Sequence, residues 1–253
     1  MAEHEMTKEE VEQRTKKLME GMSRHVAMAA FLRPGFRDAE AVENNGTVSL
    51  LEMPGGKFLV TNHHVWDTFV EQRDRRPGLR LALTGQGIEQ PVNISGAELV
   101  DSDAGLDLAV LRFDRNDLIE SIGRSFYRPK RFPLDVPVEG DDVAFLGYPG
   151  MRREPTGPLR YESVLLALKV AAVSDRKIML RFDNPNPDII LFSPKPLTEF
   201  RWGGMSGSMV YRLDPELNQF FVAGFVHAAG EGLQASFYAG RADLIQDGGT
   251  IRR

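Results

Sequence analysis

The chain contains no cysteine in its 253 residues. That excludes disulfide frameworks, thiolate metal sites and cysteine nucleophiles together, and it fits a reducing compartment. Charge of one sign is lacking too. Thirty-one Lys and Arg stand against 36 Asp and Glu, a formal net charge of -5 with a pI near 5.6. Bulk electrostatics therefore give no reason to expect a nucleic-acid or anionic-membrane partner. Long hydrophobic runs are missing: the most apolar window, Val164 to Val173, is interrupted by Lys169 and falls well short of the ~20 apolar residues that a spanning helix requires. Residues Met1 to Glu10 carry acidic groups and no apolar segment, unlike a secretory leader, so a cytoplasmic location is the expectation. No internal repeat and no low-complexity tract is visible.

What is present is a folding composition, 42% hydrophobic and 26% charged, suited to one compact two-part domain or two small ones, each with its own core. Thr7 followed three residues on by Glu10 has the form of a capping box. Glu9, Glu10 and Glu12 ahead of Arg14, Lys16 and Lys17 complement the helix dipole. This predicts a helix from about Lys8 to Gly21, whose thin apolar stripe of Val11, Leu18, Met19 and Met22 is that of a solvated N-terminal extension. Beyond it the pattern changes to short apolar runs separated by Gly, Pro, Asn and Asp, the grammar of many short strands. Such runs include His25 to Leu32, Thr47 to Met53, Lys57 to Thr61, Leu79 to Leu83, Leu108 to Phe113, Asp142 to Gly147 and Phe220 to Val226. The Pro54-Gly55-Gly56 turn makes a hairpin of two of them and leaves His64 just past a strand end. The Pro-rich, basic stretch from Gly123 to Pro137 reads as a connection. It divides the chain into a helical extension (1–23), a first half (24–130) and a second half (131–253).

Three segments carry candidate chemistry: Val60-Thr61-Asn62-His63-His64-Val65, Gly105-Leu106-Asp107-Leu108-Ala109-Val110-Leu111, and Gly203-Gly204-Met205-Ser206-Gly207-Ser208. Together they resemble the chymotrypsin-fold serine peptidases, and within them the bacterial, disulfide-free branch of HtrA-like and glutamyl-endopeptidase-like enzymes. The resemblance covers about Arg24 to Asp247. It implies an all-β fold of two six-stranded antiparallel β-barrels, His and Asp on the first and Ser on the second, acting on a protein or peptide substrate without metal or organic cofactor.

The chemistry explains why these residue types converge. A serine hydroxyl is a poor nucleophile at neutral pH, so an imidazole must accept its proton and a carboxylate must hold that imidazole in the right tautomer. Ser206, His64 and Asp107 are the candidates for these roles. The N–H groups of Gly204 and Ser206 are the candidates for an oxyanion hole, and a Cβ at Gly204 would oppose that geometry. His63 competes locally, but the family pattern puts the base directly before the small apolar residue, here Val65. A metal cluster of His63, His64 and Asp67 lacks an evident third neutral ligand. Asp101, Asp103 and Asp114 compete with Asp107, yet none begins an apolar strand. An α/β-hydrolase elbow needs Gly where Ser208 stands, and the order Ser, acid, His is missing.

Zymogen-activated relatives have an Asp directly before the nucleophile; Met205 stands there, which disfavours activation by N-terminal cleavage. Control is therefore expected from narrow specificity, a disordered oxyanion loop, or a regulatory protein partner or ligand, with the N-terminal helix or the segment 182–200 supplying it. In this fold the specificity pocket is walled by residues before the nucleophile and by the strand after it, here Thr198, Arg201 and His227. A pocket holding Arg201 and His227 favours an acidic or polar residue, whereas one dominated by Glu199 favours a basic one. Trp66 and Trp202 read as packing at the cleft rims. The reading from a different class is a peptide-docking or signalling module in which the fold persists with turnover off.

Overall fold

The structure, a computed structural model, describes residues 7–33, 42–84, 91–150, 163–181, 202–214, 219–230 and 236–253. Helix α1 spans Lys8–Ser23 and opens on the expected capping box: Thr7 N–H donates to the Glu10 carboxylate at 2.8 Å, and Glu10 N–H donates to Thr7 Oγ1 at 3.3 Å. Its last turn is not a solvated extension. Met22 is fully buried, Leu18 and Met19 pack on the same cluster, and a Cβ at Gly21 would lie 3.4 Å from the Phe220 ring. The stripe is short, but it is concentrated in the final turn, which suffices to dock that end.

The first half follows as β1 (Val26–Leu32), β2 (Val42–Met53), β3 (Gly56–Thr61), α2 (His63–Arg75), β4 (Arg80–Thr84), β5 (Val92–Asn93), β6 (Glu98–Asp103), β7 (Leu108–Arg112) and α3 (Asn116–Ser121). The second comprises β8 (Asp142–Gly147), β9 (Val164–Val173), β10 (Lys177–Arg181), β11 (Met209–Asp214), β12 (Gln219–Ala229) and β13 (Phe237–Arg241). The protein is mostly β, as expected, but among the described residues only the second set of strands closes, in the order β10-β13-β12-β11-β8-β9. The first is a seven-stranded open sheet, β5-β4-β1-β2-β3-β7-β6. The expectation of two six-stranded barrels is corrected there. Strand β5 is two residues long, and its ladder with β4 continues through Ile94 N–H to Leu81 O (2.8 Å) and Leu81 N–H to Ser95 Oγ (2.9 Å). Among the described residues β5 and β6, the two edges of the sheet, do not pair. No helix among the described residues is long and apolar enough to cross a membrane.

Alternation along the strands decides which core each side chain enters. On β1, Ala27, Ala29 and Phe31 join the core inside the first sheet, while Val26, Met28, Ala30 and Leu32 join the core between the two halves. This is why β1 is apolar throughout. On β2, Val48 and Leu50 face inward, and Thr47, Ser49, Leu51 and Met53 face the second half. Two polar residues are therefore built into a buried inter-sheet face.

At the edge of that face His25 Nδ1 lies 2.8 Å from Ser125 O, and its ring meets Tyr127 edge-on at 5.3 Å. Burial pushes the His25 pKa below the ordinary 6.5, against the Ser125 carbonyl and with help from the Arg24 charge. A histidine with a depressed folded-state pKa contributes stability that is complete above 6.5 and is lost as pH falls through the folded value. Thermal melts at pH 8 and pH 5 should therefore drop more for the wild type than for His25→Gln. Equal drops would contradict this.

Candidate active site

Strand pairing brings the first two candidate residues together. Thr61, the last residue of β3, pairs with Ala109 of β7. His64, just past the end of β3, and Asp107, just before β7, are thereby neighbours across the sheet. The structure adds a helix here that the strand-end reading omits: His64 lies in the first turn of α2, which buries Val65, Trp66 and Phe69 as one stripe.

Asp107 Oδ2 is 2.6 Å from His64 Nδ1, and Oδ1 accepts the His64 backbone N–H at 2.9 Å. Asn62 Nδ2 donates to Asp107 O at 2.8 Å and to Oδ2 at 3.1 Å. Burial alone would push the Asp107 carboxyl up. Hydrogen bonds from the His64 ring and backbone, then the His64 charge and the Asn62 amide, outweigh it and hold the carboxyl below its ordinary value. Asp107 is thus a carboxylate at neutral pH. A carboxylate only accepts, so Nδ1 carries a proton, and in the neutral imidazole Nε2 then keeps its lone pair. Asp107 is also the one non-glycine residue with positive φ among the described residues, at 54°. Its turn is braced by Asp103, whose Oδ1 accepts Leu106 N–H at 2.8 Å and whose Oδ2 takes Arg176 of the β9–β10 hairpin at 2.5 Å.

The competitors have other tasks. Asp103 shapes that turn, and Asp101 accepts Ile251 N–H and pairs with Arg253. His63 Nε2 is 3.4 Å from Asp67, beside a cavity of about 550 Å³ lined by His63, His64, Asp67, Thr68, Val70 and Glu71. Because the His64 ring turns to Asp107, no group of three metal-ligating side chains converges among the described residues.

Ser206 lies on the turn before β11, with Gly204 at φ 96° and Gly207 at φ 93°. The turn is bonded closely. Gly203 O accepts from Gly150 N–H (2.7 Å), Gly204 O from Thr47 Oγ1 (2.6 Å), Met205 O from Ser208 Oγ (2.7 Å), Ser206 O from Thr47 N–H (2.9 Å) and Gly207 O from Ser49 Oγ (2.7 Å). The N–H groups of Met205, Gly207 and Ser208 also donate. Among the described residues, those of Gly204 and Ser206 have no partner, as two donors awaiting an anion would be. No hydrogen bond joins Ser206 Oγ to His64 among the described residues. The two segments are connected through Thr61 Oγ1, which donates to Thr47 O at 2.9 Å.

His227 follows Val226, whose carbonyl accepts Gly207 N–H at 2.8 Å. Its Nε2 is buried without a partner among the described residues, and its ring lies 6.4 Å from that of Tyr238. Burial, then the Lys177 charge, lowers its pKa; the charges of Asp107 and His64 act on it in opposite directions. His227 therefore shares the electrostatic field of the His64–Asp107 pair. Thr198 and Arg201, the other two pocket candidates, and the segment 182–200 lie outside the described residues. Trp202 packs on Phe237 at 4.9 Å and Trp66 on Phe69 at 5.7 Å, both buried, in structural roles. Sequence reasoning assigns no task to Asn62, Arg176, Thr47 and Ser49, and weighs Asp103 only as a competitor of Asp107. Only for Asn62 is there a local signal, its position two residues before His64.

No family model matches the sequence, and no curated protein matches it. Solved structures do. A serine endoprotease from Yersinia pestis superposes with a TM-score of 0.52 at 17% identity, covering 91% of this chain. This chain spans 63% of that protein's length. Deg5 superposes with a TM-score of 0.52 at 16% identity, covering 92% of this chain and 91% of its own. At these identities the likeness concerns the fold alone, one closed six-stranded barrel and an open seven-stranded sheet among the described residues.

Proposed function

We propose that the chain is a serine endopeptidase, and the observation that carries this reading is the 2.6 Å contact of His64 Nδ1 with the Asp107 carboxylate. That contact leaves Nε2 as a base. Ser206 Oγ attacks the scissile carbonyl while His64 takes its proton, and the N–H groups of Gly204 and Ser206 receive the developing oxyanion. The C–N bond then breaks as His64 returns the proton to the leaving amine. Water, deprotonated by the same imidazole, hydrolyses the acyl ester. For the residue preceding the cleaved bond, His227 Nε2, without a partner among the described residues, and the nearby Lys177 charge favour an acidic or polar side chain.

A fluorophosphonate reagent tests this directly. One adduct per chain, mapped by mass to the peptide containing Ser206, is the expected result, followed by faster release from Glu-type than from Arg-type reporter peptides. An adduct elsewhere overturns the nucleophile, and preference for Arg overturns the pocket assignment. The second reading, a docking groove with turnover off, is favoured by the missing hydrogen bond between Ser206 and His64. A wild-type protein that never labels would support it, although such bonds often tighten only when substrate binds.

A further inference from the structure

We propose that Thr47, on the sheet that carries His64, is the positioning residue that sets the two oxyanion donors. The proposal builds on the reading of Gly204 and Ser206 given above. Thr47 is completely buried on the β2 face that also presents Leu51 and Met53 to the second half. A hydroxyl there is costly unless fully bonded. It is bonded twice, donating to Gly204 O at 2.6 Å and accepting from Tyr148 N–H at 3.3 Å. The main chain of the same residue makes two more bonds. Its N–H donates to Ser206 O at 2.9 Å, and its carbonyl accepts Thr61 Oγ1 at 2.9 Å, one residue before Asn62.

The peptide planes explain why this matters. In a trans peptide the C=O and N–H point in opposite directions, so pinning a carbonyl aims the N–H that follows it. Gly150 pins the Gly203 carbonyl and thereby aims Gly204 N–H; Ser208 pins the Met205 carbonyl and thereby aims Ser206 N–H. The plane between these two, Gly204–Met205, is held by Thr47 Oγ1, and the plane after them, Ser206–Gly207, by Thr47 N–H. Gly204 has no Cβ to restrain rotation. Remove the hydroxyl, and the Gly204–Met205 plane keeps only the bond from Met205 N–H to Trp202 O at 3.1 Å, a single pin about which it can tilt and carry both donors out of register. Thr47 is also the residue that ties this turn to the strand leading into His64, so it fixes donors and base relative to each other.

Oxyanion donors act in the transition state more than on bound substrate, so the defect should appear in kcat and not in KM. Thr47→Val, which swaps the hydroxyl for a methyl, is expected to lower kcat about 10- to 100-fold with KM changed less than about threefold. Thr47→Ser keeps the hydroxyl and is expected to stay within about threefold of wild type on both. Thr47→Ala removes the hydroxyl without placing a methyl against the Gly204 carbonyl, and it repeats the kcat loss should the valine variant fold poorly. Amide hydrogen exchange over 202–208 gives a readout independent of turnover. It should quicken about tenfold in Thr47→Val and Thr47→Ala and remain unchanged in Thr47→Ser. Unchanged exchange in both hydroxyl-free variants, a defect confined to KM, or an equal loss in Thr47→Ser would overturn the proposal. A wild type that never labels, combined with quickened exchange in Thr47→Val, would instead sink the peptidase reading and leave the clamp standing.

Discussion

Replacing Asp107 by Asn is expected to lower kcat/KM about ten-thousandfold while the thermal midpoint stays close to that of wild type. The size of the effect follows from which atoms change. Asp107 accepts on both oxygens, the His64 ring on Oδ2 and the His64 backbone N–H on Oδ1. An amide has only one acceptor. If its oxygen keeps the backbone N–H, its NH2 faces Nδ1, which must then surrender its proton and accept. The imidazole proton moves to Nε2, and the nitrogen that should receive the Ser206 proton no longer has a lone pair. Flipping the amide does not help, because its NH2 then confronts the His64 backbone N–H. The fold tolerates the change because Asn adopts the left-handed conformation at φ 54° more readily than most residues. The variant thus separates chemistry from stability. The check is reporter-peptide kinetics beside a thermal melt. A loss smaller than about tenfold with an unshifted melt would show that the pair does not set the tautomer.

The His64–Asp107 pair was legible in the sequence through the resemblance to the chymotrypsin-fold serine peptidases, and the structure supplies the physical reason. Both residues flank strands that pair with each other, so their closeness follows from two local patterns and one register, Thr61 against Ala109. Helix α2 was not legible, because its buried stripe of Val65, Trp66 and Phe69 is short and follows directly on a strand. Strand β6, Glu98–Asp103, escaped for the opposite reason: its side chains are polar and its burial is partial, so no apolar run marks it. Thr47 and Ser49 read as ordinary polar positions in a strand. Their meaning lies in carbonyls some 157 residues further along the chain, at Gly204 and Gly207. The Asp103–Arg176 brace is equally non-local, joining the Asp107 turn to a hairpin of the closed barrel. The open first sheet, with a two-residue edge strand at β5, is likewise a detail that composition cannot carry.

The largest loss of stability is expected from Gly207→Ala, about 4 kcal/mol or more, a midpoint shift on the order of 10 °C for a chain of this size. A Cβ built at Gly207 would stand 2.1 Å from Thr47 O and 3.1 Å from Thr61 Oγ1, at a φ of 93° that L side chains rarely adopt. Relief would require strand β2 to retreat, and it cannot do so cheaply. Thr47 pairs with Met28 of β1 on one side, while Ser49 pairs with Val60 of β3 on the other. The steric and backbone costs therefore add instead of relaxing. Gly203 is the internal control: it is exposed, and a Cβ there meets nothing within 4 Å among the described residues. Gly203→Ala should melt within about 2 °C of wild type. Two glycines so close in sequence, one intolerant and one indifferent, would show that the turn is set by its approach to β2 and not by chain flexibility. If Gly207→Ala melts with the wild type, the turn does not lie against Thr47, and the arrangement that aims Gly204 and Ser206 falls with it.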